Sequence, residues 1–189
     1  MKKQFLKHGL LLFVAATLLL SSCEKEKDGE TNDEEVITTM QLTFVPQGGG
    51  ATLTYKFEDL DGPGGAEPVV DPVVLAANQT YSVSVQLLNK TVNPPEDITV
   101  EVAEEPEAHR FYYLPSAGSN ITVTGLNNDP AGIPLGLTST WTTDTAATGT
   151  IRVVLRHYIG TPPDKAAGDP VDSPKSSTDA EAEFTTTIQ

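Results

Sequence analysis

Apolar and polar residues alternate one by one in several short stretches of this chain, and this period limits the folds that it can adopt. Residues 40–44 (MQLTF) and 53–57 (LTYKF) both alternate in this way, on either side of three glycines at 48–50. Because a period of two places every second side chain on one face, each stretch predicts a half-buried β-strand. The two strands and the glycine turn between them predict a β-hairpin.

The same alternation recurs along most of the chain that follows. Further candidate strands are 81–87, 109–114, 121–124, 135–142, 150–157 and 183–189, separated by clusters of Gly, Pro, Asn and Asp. Seven to nine short strands at this spacing are typical of an antiparallel, immunoglobulin-like β-sandwich. Trp141, the single tryptophan, is expected to pack in the core of that sandwich.

One segment, Pro94–Glu107 (PPEDITVEVAEEPE), carries two conflicting patterns. Prolines and acidic residues at its start are typical of the first turn of a helix. Ile98, Val100 and Val102, however, alternate as they would in a strand. We expect one short helix near 96–105 that crosses an end of the sandwich and leads into the strand at 109–114.

The first 22 residues predict a secretory signal peptide. Lysines at positions 2, 3 and 7 precede an apolar stretch, Gly9 to Leu20, which is shorter than the roughly 20 residues that span a bilayer. The stretch ends in Leu20-Ser21-Ser22-Cys23, which resembles the bacterial lipobox, whose cysteine is diacylated and becomes the first residue of the mature protein. Cys23 is the single cysteine, so an internal disulfide is excluded. We expect Cys23 to carry acyl chains, such as palmitate, that anchor the chain to a membrane.

The residues after Cys23, EKEKDGETNDEE, include no apolar side chain. They cannot bury enough surface to offset the entropy of ordering, so 23–35 is predicted to be a disordered acidic tether. Such stretches resemble the surface-export signals of lipoproteins in Bacteroidota, which implies the outer leaflet of the outer membrane. The alternative is a linker on the periplasmic face. The remaining residues, 36–189, are about the size of one domain.

The charge of the chain excludes some partners. Three of the twelve basic residues and none of the 26 acidic residues lie in the first 22 positions, so the rest of the chain has a net charge of −17. A surface of this charge repels nucleic acid, and no nucleic-acid partner is expected. Catalysis is not expected either, because GxSxG and HExxH motifs are absent from the sequence and Cys23 is assigned to lipid.

Several stretches along the domain resemble small Bacteroidota lipoproteins of uncharacterised role. They are VITTMQLTFVPQGGG, FEDLDGPGG, LAANQTYSVSVQLLN, EEPEAHRFYY, GIPLGLTSTWTT, TGTIRVVLRHY and FTTTIQ. Such proteins are often labelled "type 1 periplasmic binding fold superfamily protein", a name that implies an α/β sugar-binding fold. The pattern here favours strands instead, because an α/β fold needs alternating strands and amphipathic helices. The resemblance implies an envelope location and no established activity.

The loop Asp59-Leu60-Asp61-Gly62-Pro63-Gly64-Gly65 is one candidate for metal binding. Alternating aspartates before a glycine supply the hard oxygen ligands that Ca²⁺ prefers. The loop lacks the third oxygen-bearing position and the distal glutamate of an EF-hand loop. The alternative is an ordinary turn, because aspartate and glycine both favour turns.

A second candidate is the pair His109 and His157, the two histidines of the domain. Both are predicted near strand ends on one rim, where two imidazoles, with Glu105 as a third ligand, could hold a transition metal. The two rings could also ligate haem iron axially. The alternative is that both are exposed histidines without a ligand. A metal or haem carrier is therefore a second functional hypothesis.

The third candidate is a ligand patch formed by Arg110, Tyr112, Arg156 and Tyr158. Aromatic rings stack on apolar faces of sugars and arginine binds carboxylates, so this patch could recognise a glycan or another small molecule. The alternative is that Arg152 and Arg156 lie on the solvent face of an alternating strand and pair with nearby acids. The sequence as a whole predicts a lipid-anchored, non-catalytic binding or interaction module, with small-molecule, glycan or protein partners. A passive structural component of an envelope complex is a third hypothesis.

Overall fold

The structure, a computed structural model, describes residues 35–189; the predicted signal peptide, Cys23 and all of the predicted tether except Glu35 lie outside the described residues. In chain order the elements are β1 (Thr39–Pro46), β2 (Leu53–Glu58), β3 (Val69–Val70), β4 (Val73–Leu75), β5 (Thr80–Asn89), β6 (Glu96–Asp97), α1 (Ile98–Glu104), β7 (His109–Pro115), β8 (Ile121–Thr124), β9 (Thr138–Thr143), β10 (Ala147–Tyr158) and β11 (Ser176–Ile188). Within this range, strands therefore dominate, as the alternating sequence predicts.

The strands form two sheets. The larger sheet has the order β3-β2-β1-β5-β9-β8, with β6 pairing with β5, and the smaller has the order β4-β11-β10-β7. These pairs are antiparallel except for β4 and β11, which are parallel. The prediction of an all-β sandwich is confirmed, with one parallel pair in a fold predicted to be antiparallel. The strands that the sequence did not predict, β3, β4 and β6, are two or three residues long and too short to show a period.

The predicted hairpin is present as β1 and β2. Leu42 lies opposite Tyr55, which puts the apolar residues of both strands on the same face. The turn between them contains Gly49 and Gly50, whose φ angles are 86° and 129°. Glycine adopts such angles without steric cost, which explains the glycine run at this position.

The core lies between the two sheets, and Trp141 of β9 is at its centre. This side chain is fully buried, as the sequence predicts. Its ring makes edge-to-face contacts with Phe44 of the larger sheet at 5.1 Å and with Tyr113 of the smaller sheet at 5.6 Å. The indole Nε1 donates to Ser139 Oγ at 2.9 Å, so the polar group of the ring is also satisfied.

The short helix predicted near 96–105 is confirmed as α1. Asp97 caps its start by accepting a hydrogen bond from the Thr99 backbone N–H at 3.1 Å, and Ile98 and Val102, four residues apart, are its buried side chains. The turn after α1 brings the chain to His109 at the start of β7. No helix among residues 35–189 is long and apolar enough to cross a membrane.

Candidate metal site

His109 and His157 face each other across two neighbouring strands. In the register of β7 and β10 they are directly opposite, and their ring centroids are 4.5 Å apart. Phe111 and Leu155 are the next pair on the same face, and both belong to the buried core. The two imidazoles therefore lie on the interior face of the sandwich, at the end of the smaller sheet.

The interpretation of this pair as exposed histidines is wrong. The side chain of His109 is 0% exposed and that of His157 is 17% exposed. Alternation along β7 and β10 explains why both histidines are buried. A residue two positions from a core side chain points to the core as well.

A third side chain, Asp179, reaches the histidines because β11 contains a β-bulge. Leu155 of β10 pairs with Ala180, while the next residue, Arg156, pairs with Thr178, so Asp179 is the extra residue of the bulge. Its Oδ2 lies 3.8 Å from His109 Nε2 and 3.7 Å from His157 Nδ1. The bulge thus brings a fully buried carboxylate beside both rings.

The fourth side chain, Glu35, comes from the segment before β1. Its Oε1 lies 3.4 Å from His109 Nε2, and its side chain is 7% exposed. The sequence places Glu35 at the end of the predicted disordered tether, whereas the structure makes it part of the folded domain. Each of the four residues offers one ligand atom to a group in which all four atoms lie within 4.8 Å of one another.

The orientation of His109 is set by its other ring nitrogen. Nδ1 lies 3.0 Å from the backbone carbonyl oxygen of Glu105, so the neutral ring donates its N–H there and leaves the lone pair of Nε2 facing the carboxylates. Histidines that bind metals usually make such a bond to a carbonyl or carboxylate. Glu105 was predicted as a third ligand through its side chain; it contributes its backbone instead and is absent from the ligand group.

Burial and the neighbouring groups shift the pKa values of Glu35 and His109 in opposite directions. The contact with His109 holds the pKa of Glu35 below its usual value, although burial acts in the other direction. Burial acts to lower the pKa of His109, but Glu35, the Glu105 carbonyl and Asp179 outweigh it, and the pKa is raised. A positive charge at this position is therefore stabilised by its surroundings, whether it is carried by a proton or by a cation.

The spacing of the ligand atoms is close to that of a metal centre. Zinc binds imidazole nitrogen and carboxylate oxygen at about 2.0 to 2.2 Å, so neighbouring ligands of a tetrahedral site are about 3.4 Å apart. The three contacts that link the four residues are 3.4, 3.7 and 3.8 Å. Small side-chain movements would close the group around one ion.

A cleft of about 440 Å³ opens beside the group. Glu35 and Asp179 both line it, together with residues from the start of β1, the loop after β2 and β11. The remaining lining residues include Ile37, Met40, Phe57, Leu60 and Glu181. Of these two ligands, Glu35 is the one with an exposed fraction, 7% of its side chain.

Asp59 and Asp61, predicted as calcium ligands, also line this cleft but are outside the ligand group. Asp59 Oδ1 accepts a hydrogen bond from the Gly62 N–H at 2.9 Å, and Asp61 Oδ2 accepts one from the Ala66 N–H at 2.9 Å. These bonds are typical of aspartates that stabilise turns. The structure thus favours the turn interpretation of this loop.

The residues of the predicted ligand patch make contacts inside the molecule. Arg110 lies over the Tyr112 ring at 4.4 Å and donates to the carbonyl of Ala166 at 3.0 Å, and the Tyr112 hydroxyl donates to the carbonyl of Asp169 at 2.9 Å. The hydroxyls of Tyr112 and Tyr158 are 2.7 Å apart. These groups hold the connection between β10 and β11 against the sheet.

Arg156 also contacts residues of the chain between β10 and β11 and the start of β11. Its guanidinium donates to Ser176 Oγ at 3.0 Å and to the Ser173 carbonyl at 3.1 Å, and it also contacts Thr178 Oγ1. The patch therefore accounts for the conformation of a loop. Hydroxyl and carbonyl oxygens take the place of the acids predicted to pair with Arg156, whereas Arg152 does contact an acid, Glu181, at 3.3 Å.

Comparisons with known proteins add no further information about the site. A scan against protein-family models, a search of curated proteins and a search of solved structures each return no match. The resemblance to small Bacteroidota lipoproteins therefore stays a prediction. The assignment of a function depends on the geometry and charges of the described residues.

Proposed function

We propose that this protein is a lipid-anchored component of the cell envelope whose sandwich domain binds one divalent transition-metal ion without catalysis. The ligands are Glu35, His109, His157 and Asp179. The observation that carries the proposal is His109 Nε2, which is buried beside two carboxylates and a second imidazole and has no hydrogen-bond partner among the described residues. Buried nitrogens usually have such a partner, and an ion would provide one.

The charge of the group supports an ion in preference to an ion pair. Two buried carboxylates and two neutral imidazoles carry a charge of −2, which one divalent cation neutralises. A proton on His109 neutralises half of it. Because an uncompensated charge is costly inside a protein, a divalent cation satisfies the group better than one proton does.

The donor set favours a particular class of ion. Two nitrogens and two oxygens suit zinc and its neighbours among the transition metals, whereas Ca²⁺ takes six to eight oxygen ligands. Haem is disfavoured, because the rings of His109 and His157 are in direct contact at 4.5 Å and leave no room for a porphyrin between them. The cleft beside Glu35 and Asp179 supports an ion that exchanges with solvent.

The affinity for zinc is expected to rise with pH. The pKa of His109 is raised above its ordinary value in the folded protein without metal, so its stabilising contribution is complete below about pH 6.5 and is lost as pH rises through the raised pKa. Zinc requires the neutral ring and therefore competes with this proton. The shift in melting temperature caused by zinc should be larger at pH 7.5 than at pH 5.5, with an affinity at least tenfold higher. A shift that is equal at both values would contradict metal binding by His109.

Membrane attachment is supported by the lipobox-like Leu20-Ser21-Ser22-Cys23. In a bacterial host that is fed an alkyne-labelled palmitate, the protein should incorporate the label and fractionate with membranes. Cys23→Ser should abolish both, since Cys23 is the single thiol of the chain. Ser21→Ala, which keeps a small residue before the cysteine, serves as the control and should retain the label. Labelling of the Cys23→Ser variant would refute the anchor.

A further inference from the structure

The N-terminal arm, residues 35–38, joins the domain through two different kinds of contact. Thr38 is held by the larger sheet: its N–H and its Oγ1 both donate to the Leu88 carbonyl of β5, at 2.9 and 3.0 Å, and its Oγ1 accepts from the Lys90 N–H at 2.9 Å. Ahead of Thr38, side chains hold the arm. Ile37 packs against the core and Glu35 contacts His109, while Val36 is 53% exposed.

The other three ligands of the proposed metal site belong to the smaller sheet. His109, His157 and Asp179 come from β7, β10 and β11, which are neighbours in that sheet. Glu35 is thus the one ligand that lies outside it. An ion bound by all four residues would tie the arm to three strands at the same time.

From this arrangement we infer that the ion acts as a clasp, which fastens the N-terminal arm to the smaller sheet and holds the point at which the predicted tether leaves the domain. The inference rests on the proposed metal site. Without the ion, the start of the arm depends on the contact between Glu35 and His109. Segments held by so few contacts open locally at little cost, and a metal bond across the opening closes them.

The clasp has a direct consequence for a protein anchored through Cys23. The tether joins the domain at Glu35, so movement of the domain relative to the membrane acts on the arm first. With the ion bound, the arm is held at Glu35; with the ion removed, it is free to loosen as far as Thr38, where the backbone hydrogen bonds begin. Metal occupancy would therefore change the effective length of the tether.

Hydrogen exchange tests the clasp. We expect zinc to slow the exchange of the Thr38 backbone amide, which donates to the Leu88 carbonyl and is exposed when the arm opens, at least tenfold in the full-length protein in detergent. Residues 121–124 of β8, away from the site, serve as an internal reference and should change little. Glu35→Gln at saturating zinc should show the exchange rates of the metal-free protein in the arm, while Glu34→Gln, the same change one position earlier, should keep the protection.

The outcomes separate the clasp from the metal site itself. Zinc that binds stoichiometrically to the wild-type protein without slowing exchange at Thr38 would overturn the clasp and leave the proposed function intact. Protection of the arm in the zinc-loaded Glu35→Gln variant would overturn it as well. Failure of the wild-type protein to bind zinc at all would instead refute the proposed function.

Discussion

Zinc at a hundredfold excess over its Kd should raise the melting temperature of the wild-type protein by about 5 to 10 °C, because a ligand of the folded state contributes about 2.7 kcal/mol at that excess. The His109→Ala/His157→Ala double variant should show no shift, since it has lost both nitrogen ligands. The measurements are thermal unfolding of the full-length protein with and without zinc, and the metal content after removal of excess ion.

The two aspartates that sequence analysis proposed for calcium provide the control for this experiment. Asp59 and Asp61 line the same cleft and have their own hydrogen bonds within the turn. A double Asp59→Asn/Asp61→Asn variant should keep the full zinc shift and one equivalent of zinc. Loss of the shift in this variant, with retention in the double histidine variant, would place the ion in the turn.

Replacement of Lys165 by alanine should lower the free energy of unfolding by about 3 to 5 kcal/mol, because it leaves a buried charge without its partner. The ammonium Nζ lies 2.8 Å from Asp129 Oδ2, and the two side chains are 2% and 1% exposed. It also donates to the carbonyl oxygens of Pro106 at 2.6 Å and His109 at 2.9 Å. The measurement is unfolding by denaturant. The change in the free energy of unfolding is calculated with the same dependence on denaturant concentration for both proteins.

Lys175 provides the matched control for Lys165. Its Nζ is 3.2 Å from Asp169 and 3.6 Å from Asp164, but its side chain is 36% exposed. Solvent screens such pairs, so Lys175→Ala should lower the free energy of unfolding much less than Lys165→Ala does. If the two variants lost similar amounts of unfolding free energy, the pair of Lys165 and Asp129 would contribute no more to stability than an exposed ion pair.

Alternation of apolar and polar residues predicted the longer strands. It did not predict strands of two or three residues, nor the part of β11 that precedes its bulge. The hairpin of β1 and β2 and the long strand β10 follow the pattern closely. The last strand was predicted to start at Glu183, whereas β11 starts at Ser176. The bulge at Asp179 explains the difference, because one extra residue breaks the period between its two halves.

The same irregularity explains why Asp179, one ligand of the proposed metal site, was missed. His109 and His157 were identified as a pair because they are the only histidines in the domain, but no sequence pattern shows that a bulge directs Asp179 toward them. Glu35 lies in a run of acidic residues and has nothing to distinguish it from Glu34. Its role depends on a contact with His109 of β7, more than seventy residues later in the chain. A local sequence pattern does not reveal such a contact.

X-ray absorption at the zinc edge of the loaded protein tests the central claim most directly. The four-ligand site predicts about four nitrogen and oxygen neighbours at roughly 2.0 to 2.2 Å, with the outer scattering of two imidazole rings. That outer scattering should disappear in the His109→Ala/His157→Ala variant. A spectrum of six oxygen neighbours without imidazole in the wild-type protein would contradict a metal site built on His109 and His157.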